Sequence, residues 1–253
     1  MILTASPEQA VATRRRGESN GSTFWHTTFL GSNRFTRQAD APPPEREDVY
    51  PMAFLVEQDP NAITQSHFHQ ADQFQVVVAG GGDLGTHPIR DLAVHYAGAF
   101  TAYGPIRANA EGITYFTLRN GWDPGARYMP GARAELRTRR RAPHREATSA
   151  PMPPASAAEL AGLGAVACDA VIAPEADGLA AWRWRVPPHA ALTGHDPRAS
   201  RGQTWLVTAG AIVRDGAALP RHACLFVFPG DSALTAHAGP DGAEVLCLQY
   251  PTL

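Results

Sequence analysis

One segment of this chain recurs 130 residues later, and this recurrence constrains the fold more than any other feature. Residues 73–80 read Gln-Phe-Gln-Val-Val-Val-Ala-Gly, and residues 203–210 read Gln-Thr-Trp-Leu-Val-Thr-Ala-Gly. The same offset pairs two further positions, Gly112 with Gly242 and Leu118 with Leu248. A constant offset of this length is that of a domain and is too long for a solenoid repeat. The 253 residues therefore predict two copies of one fold.

Short apolar runs between turn residues predict that each copy consists of β-strands. The 23 Gly and 22 Pro residues separate runs rich in Val, Phe, Tyr, Trp and Thr. The runs are 52–57, 74–79, 113–118, 181–186, 204–209, 225–228 and 244–249. Such a pattern is typical of an all-β sandwich or barrel. One helix is expected over 156–163, where Ser156 and Glu159 have the spacing of a capping box.

Composition along the chain predicts four segments. Residues 1–22 are expected to be a flexible N-terminus, followed by a first barrel over 23–136. An Arg-rich and then Pro-, Ser- and Ala-rich stretch, 137–155, is predicted to be a linker. A second barrel is expected over 156–253.

Charge and residue usage exclude several classes of function. The 22 basic residues nearly balance the 24 acidic ones, which argues against a nucleic-acid-binding protein. Every basic residue is Arg, so Schiff-base lysine chemistry and a Walker-type phosphate loop are excluded. The sequence has neither a long apolar stretch nor a signal-peptide pattern, and its three isolated Cys residues fit a reducing compartment. We expect a cytoplasmic protein with a small-molecule substrate and no nucleic-acid or membrane partner, and a homodimer stays open.

The segment His67-Phe68-His69 is the strongest candidate site. Residues i and i+2 of a strand project from the same face, so both imidazoles are expected to point together. Two imidazoles on one strand can share a metal ion, and the carboxamide oxygen of Gln73 could act as a weak third ligand. The alternative is that the histidines are ordinary polar residues on an open sheet face. By strand alternation, Gln65 and Gln75 are candidate substrate contacts on the same inward face.

The spacing His-x-His-x3-Gln-x6-Gly, placed among strands and repeated in outline, resembles the cupin superfamily. The first cupin motif reads Gly-x5-His-x-His-x3/4-Glu-x6-Gly. In this chain His67, His69 and Gly80 match it, Gln73 replaces Glu, and Asn61 stands at the leading Gly. The resemblance covers most of the chain as a bicupin. It implies an all-β fold of two jelly-roll-like cupin barrels in tandem, with few helices.

The chain departs from the cupin pattern where a further metal ligand is expected. The second cupin motif normally supplies one more His, but within 98–109 the expected position reads Arg107 or Asn109. Two interpretations stay open for His87 and His95. Either one replaces the missing ligand from a neighbouring strand, or both are hydrogen-bonded sheet histidines. His95 is also a weaker candidate for contact with substrate.

The second copy has lost more of the motif. His195 precedes Gln203, but no His-x-His lies before it. The alternation of Trp182 and Trp184 with Arg predicts one aromatic face packed in a second core. We expect this half to be a degenerate barrel that holds no metal.

The predicted ligand set indicates which functions to consider. Two imidazoles and an amide are neutral, so a divalent ion would keep its charge and open positions for an anionic, chelating molecule. Fe(II) is favoured, with Zn, Ni or Mn as alternatives, and an empty site stays open. The first hypothesis is a metal-dependent cupin enzyme, a dioxygenase or lyase, acting on an enolisable, carboxylate or phenolic compound. The others are a non-catalytic small-molecule-binding bicupin and a metal-dependent isomerase, so whether the chain is an enzyme stays open.

Overall fold

A computed structural model describes residues 1–32, 48–140 and 142–252. The chain divides into two compact units. We call Val11–Met152 the first barrel, and Met1–Ala10 together with Pro153–Leu253 the second barrel. Both consist mainly of antiparallel strands, so the predicted all-β class with few helices is confirmed.

The first strand of the chain, β1 (Leu3–Ala5), belongs to the second barrel. The strands of the first barrel are β2 (Arg15–Ser19), β3 (Ser22–Leu30), β4 (Met52–Gln58), β5 (Ile63–Thr64), β6 (His67–Phe68), β7 (Gln73–Leu84), β8 (His87–Arg90), β9 (Val94–Ala97), β10 (Ile106–Arg119), β11 (Arg127–Tyr128) and β12 (Glu146–Thr148). Its main sheet has the order β12-β9-β7-β10-β4-β3-β2, with β8 on β7 and β5 on β10. Strands β6 and β11 form a separate pair.

The second barrel has a related sheet. Its strands after β1 are β13 (Ala167–Ile172), β14 (Ala180–Val186), β15 (Ala191–Thr193), β16 (Gln203–Arg214), β17 (Ala217–Pro220), β18 (Cys224–Val227) and β19 (Thr235–Gln249). They are ordered β1-β18-β16-β19-β14-β13, with β15 on β19 and β17 on β16. The described residues form three helices, α1 (Pro7–Ala10), α2 (Arg133–Arg139) and α3 (Ala157–Ala161), with 3-10 turns at Val11–Thr13 and Pro197–Ala199.

The repeated glycines mark the same irregularity in both barrels. Gly80 of β7 and Gly210 of β16 have positive φ angles of 64° and 61°. A Cβ on Gly80 would lie 2.2 Å from the Gly112 carbonyl oxygen, and one on Gly210 would lie 2.1 Å from that of Gly242. Only glycine allows this close backbone approach. The predicted repeat is thus present as two copies of one strand crossing.

The N-terminal residues differ from the predicted flexible segment 1–22. Strand β1 pairs with β18 across the edge of the second barrel, with Leu3 opposite Phe226. Strand β2 forms a hairpin with β3 in the first barrel. A three-residue strand carries too little periodicity to be recognised, and its partner lies more than 200 residues away in the sequence.

The predicted linker 137–155 is also partly structured. Its residues Glu146–Thr148 form β12 and pair with β9 of the first barrel. The division between the two units falls between Met152 and Pro153, inside the Pro-rich stretch. Composition shows where a chain is rich in turn formers, but it does not show that a short segment among them completes a sheet edge.

The interior of the second barrel is apolar. Trp205, Val207, Leu225 and Val245 are fully buried there, and Trp182 and Trp184 pack against this core. The predicted aromatic face is therefore confirmed. The capping box of Ser156 and Glu159 is formed as expected at the start of α3. Among the described residues, no helix is long and apolar enough to cross a membrane.

Candidate functional site

A cavity of about 110 Å³ opens inside the first barrel. Its walls are largely aromatic and apolar, including Phe24, Phe54, Val56, Tyr115 and Tyr128. Its polar end contains His67, His69, Gln73, Arg119 and Asp123. An apolar pocket with a few convergent polar groups is the usual form of a small-molecule site.

His67 is held as a neutral imidazole. Its Nδ1 lies 2.7 Å from the backbone oxygen of Gln65. Because a carbonyl oxygen only accepts hydrogen bonds, Nδ1 carries the proton and Nε2 keeps a lone pair. Burial, and then the neighbouring His69, lower the pKa of His67 to about 3. His67 is therefore uncharged near neutral pH.

His69 faces the same way and is also fixed through Nδ1. The two rings are 5.1 Å apart between centroids, which confirms that the pair shares one face. The His69 Nδ1 donates to a carboxylate oxygen of Asp123 at 2.8 Å. Burial and the charge of Arg119 lower the pKa of His69, whereas Asp123 opposes that shift. Histidines that bind metals commonly have such an anchor at the second nitrogen.

Asp123 is buried and multiply hydrogen-bonded. Besides His69, its carboxylate accepts the backbone N–H groups of Gln70 and Gly125, each at 2.7 Å. Arg119 Nη1 lies 3.6 Å away. Burial alone would raise the pKa of Asp123, but His69, Arg119 and the Gln70 N–H together hold it below its usual range. Asp123 is therefore an anion that orients His69.

Gln73 does not offer a free oxygen to a metal ion. Its Oε1 accepts two hydrogen bonds from Arg119, from Nε at 3.0 Å and from Nη2 at 2.7 Å. Its Nε2 donates to the Tyr103 hydroxyl at 2.6 Å. An amide oxygen has two lone pairs, and both are used here. The predicted ligand role of Gln73 therefore does not fit this arrangement.

The sequence interpretation missed Arg119 and Asp123. Arg119 follows directly on the predicted strand 113–118, and β10 places it opposite Gln73. Tyr115, Thr117 and Arg119 all line the cavity. Extending the period of two by one residue beyond the apolar run would have found Arg119. Asp123 lies in the following loop, where no periodicity points to it.

Tyr103 occupies the strand position opposite His67. The two residues form a β-bridge, and their rings are 4.6 Å apart. Arg107 and Asn109, where the missing cupin His was expected, are both exposed and do not line the cavity. Asn61, at the expected leading glycine, has a φ of 61°, the left-handed conformation that favours glycine.

The other candidate residues have different outcomes. Gln65 is exposed, because a bend at 65–66 separates β5 from β6 and breaks the alternation used to place it. His87 is exposed as well. Gln75 lines the cavity as expected. His95 is buried outside this cavity. Its ring lies 5.1 Å from that of Tyr103 at an interplanar angle of 51°, and its Nδ1 contacts Thr148 Oγ1 at 3.0 Å.

Gln75 and His95 face each other across β7 and β9. Both line a second, smaller cavity of about 10 Å³. Gln75 Oε1 and His95 Nε2 have no hydrogen-bond partner among the described residues. A space of this size is about enough for one water molecule. His95 therefore lies behind the main cavity, next to Gln75 and Tyr103.

The donor set fits a metal ion only in part. The imidazoles of His67 and His69 are neutral and anchored through Nδ1, as metal ligands require. The oxygen of Gln73 is bonded to Arg119, whose charge opposes a second cation. No cluster of three His, Cys, Asp or Glu residues suited to a metal occurs in the described ranges. As arranged here, the residues do not fit an ion held by three protein ligands.

Sequence comparison identifies no matching family model and no similar curated protein. Solved structures are similar in fold. A candidate dioxygenase from Nostoc punctiforme has a TM-score of 0.65 at 13% identity, over 100% of this chain and 84% of its own. A bacterial pirin from Escherichia coli, in complex with nickel(II), has a TM-score of 0.58 at 12% identity, over 100% of both chains. Quercetin 2,3-dioxygenase from Acinetobacter baumannii has a TM-score of 0.53 at 11% identity, over 99% of this chain and 78% of that one.

These similarities extend over the whole of this chain and therefore include both barrels. At such low identity they concern the fold alone. The expected fold of two jelly-roll-like barrels in tandem is confirmed.

Proposed function

We propose that this chain, which has the fold of a bicupin, binds a small organic molecule about the size of one planar ring in its first barrel. The cavity of about 110 Å³ carries this proposal. An apolar protein cavity of roughly 150 Å³ holds a benzene molecule, so an open cavity of about 110 Å³ leaves room for about one ring and no more. Aromatic walls favour a flat, apolar body, and the histidine end favours a polar substituent on it.

The polar end also suggests how such a molecule would be oriented. The Nε2 lone pair of His67 can accept a hydrogen bond from a ligand, and Arg119, which already contacts His69 Nε2 at 3.1 Å, can donate one. An enolic, phenolic or carboxylic group would find both kinds of partner within one site. Asp123 would keep His69 in the tautomer that accepts at Nε2.

A metal-dependent enzyme, a dioxygenase or lyase, is the second candidate. The Nδ1 anchoring of both histidines favours it, because this leaves two neutral nitrogen donors on one face. An ion bound there would act as a Lewis acid or, for iron, would supply oxygen chemistry. This candidate requires Arg119 to move away from Gln73 and His69.

The first experiment measures ligand binding and metal content on the same protein. A fragment library of single-ring acids, phenols and neutral analogues is screened by ligand-observed NMR, and metals are quantified after purification without a polyhistidine tag. The variants are His67→Ala and His69→Ala, and exposed His87→Ala is the matched control. We expect ring compounds to bind the wild type and the control, and to bind the two site variants more weakly.

The outcomes separate the two candidates. Near-stoichiometric metal that is lost in His67→Ala but kept in His87→Ala would favour the metal-dependent enzyme. Ring binding by a metal-free wild type would favour the binding site proposed first. If no single-ring compound binds, or if binding is unchanged in both site variants, the assignment of the site is wrong.

A further inference from the structure

Arg119 lies inside the first barrel at the end of β10, where only 4% of its surface is exposed. Its guanidinium carries a fixed positive charge. Burying such a charge costs free energy unless it is paired and hydrogen-bonded. The contacts of Arg119 therefore show what the site is built to hold.

The guanidinium bridges two of the side chains that the sequence assigned to a metal ion. Its Nη2 lies 2.7 Å from Gln73 Oε1 and 3.1 Å from His69 Nε2. Since His69 Nδ1 is already a donor to Asp123, Nε2 is the nitrogen that can accept from Arg119. Arg119 thus uses the oxygen and the nitrogen that a metal would need.

Arg119 is supported in this position from other sides. Its Nε adds a second hydrogen bond to Gln73, and Phe54 lies under the guanidinium at 5.1 Å from the ring centroid. A cation above an aromatic face is attracted by the ring quadrupole. Gln73 in turn is held by Tyr103. The position of Arg119 is therefore fixed by its neighbours.

The charge of Arg119 is only partly compensated. Among the described residues that line the cavity, Asp123 is the other charged side chain, and Arg119 Nη1 lies 3.6 Å from it. That distance is too long for a hydrogen bond. The carboxylate is already used by His69 and by two backbone N–H groups. Nη1 therefore keeps donor capacity for a further anion.

We propose that Arg119 takes the place of a metal ion in this barrel and binds the anionic group of the ligand. This inference rests on the proposed small-molecule site and names its ligand class, a planar single-ring monoanion. A carboxylate is the group best matched to a guanidinium. The ring would lie against the aromatic wall, and His67 Nε2 would accept a hydrogen bond from a hydroxyl group where the ring carries one.

The test compares charge recognition and metal exclusion. Benzoate and its neutral analogue benzamide are titrated into wild type, Arg119→Gln, Arg119→Lys and Arg107→Gln by calorimetry. Arg107 is exposed on the same strand, so Arg107→Gln is a matched control for the loss of one charge. Cobalt(II) is added separately and followed by its visible absorption. Circular dichroism monitors folding of every variant.

We expect the wild type and Arg107→Gln to prefer benzoate over benzamide by about tenfold or more, as for hydrogen bonds to a charged group. Arg119→Gln should lose this preference and bind cobalt(II) at least about tenfold more tightly than the wild type. In the double variant His67→Ala/Arg119→Gln, this increase in cobalt(II) affinity should be lost. Arg119→Lys keeps the charge and should still exclude cobalt(II). If Arg119→Gln fails to fold, Arg119→Met replaces it as the variant without the charge.

Three results would overturn the inference or its basis in distinguishable ways. Cobalt(II) binding by the wild type as tight as by Arg119→Gln would show that Arg119 does not replace an ion. Equal binding of benzoate and benzamide would remove the anionic ligand but leave the small-molecule site. Failure of every ring compound to bind would remove the proposed function, while the cobalt(II) titration would still decide what Arg119 does.

Discussion

The two barrels share one strand arrangement, but the first encloses a cavity with charged groups and the second encloses an apolar core. Gln73 of the first barrel and Gln203 of the second lie 130 residues apart. Gln73 lies opposite Arg119, and Gln203 lies opposite Gln249. In the second barrel, Gln203 Nε2 donates to Gln249 Oε1 at 2.9 Å, and Gln203 Oε1 accepts from the Trp205 indole at 3.1 Å. That network is neutral and satisfied.

One position explains much of the difference in interior space. Gln75 and Trp205 are equivalent by the offset, and both project into their barrels. The Trp205 ring is fully buried in the core of the second barrel, whereas the shorter Gln75 lines the cavity beside His67 and His69. A repeated fold thus keeps its strand pairing while a few inward residues decide between a core and a site.

Substitutions at the two equivalent positions, Trp205 and Gln75, test the contrast between a core and a cavity most strongly. Trp205→Ala removes a fully buried side chain, so we expect a loss of about 3–5 kcal/mol in the free energy of unfolding. Gln75→Met keeps the volume and removes an unpaired carbonyl, so we expect a change within about 1 kcal/mol. Urea unfolding measures both. Similar losses in the two variants would contradict the contrast between core and cavity.

The glycine crossings test what the barrels have in common. Gly80→Ala and Gly210→Ala would each place a methyl group against a backbone carbonyl at positive φ. We expect each to lose about 2–4 kcal/mol in the free energy of unfolding. Gly164→Ala is the control, since a Cβ there meets nothing within 4 Å. A large loss in one barrel and none in the other would show that the crossings are not equivalent.

Acid should weaken the first barrel through its buried histidines. Burial is the main reason why the pKa values of His67 and His95 fall to about 3. Below pH ~6.5 these histidines become protonated in the unfolded chain but stay neutral in the folded one. Stability is therefore complete above pH ~6.5 and falls towards pH ~3, by up to about 1.4 kcal/mol per pH unit for each histidine.

Urea midpoints at pH 7, 6 and 5 measure this dependence. His95→Gln should flatten it, because it removes one of the buried histidines that titrate and keeps a polar group near Thr148. The matched variant His87→Gln changes an exposed residue and should leave the slope as in the wild type. If the stability of His95→Gln falls with decreasing pH as steeply as that of the wild type, His95 does not have the lowered pKa assigned to it.

The smallest expected effect concerns the start of α3 in the second barrel. Ser156→Ala removes the side chain that accepts the Glu159 backbone N–H. We expect a loss of about 1 kcal/mol in the free energy of unfolding. Ser156→Asp preserves the cap and should retain most of the stability. Equal losses in the two variants would mean that the cap does not stabilise this barrel.

Periodicity and repetition were enough to predict much of this protein. The offset that relates Gln73 to Gln203 indicated two similar β-folds, because strand alternation and turn glycines are local properties. The shared face of His67 and His69 followed from the same alternation. The same alternation wrongly placed Gln65 on the inward face, because a bend between the short strands β5 and β6 interrupts it.

The surroundings of His67 and His69 depend on contacts between distant parts of the chain. The sequence shows Gln73 and Arg119 as residues 46 positions apart, and the pairing of β7 with β10 places them in contact. Asp123 reaches His69 from a loop with no pattern of its own. Local sequence determines which face a side chain occupies. Partners that fix its charge and hydrogen bonds come from distant strands and loops, so they depend on how the barrel closes.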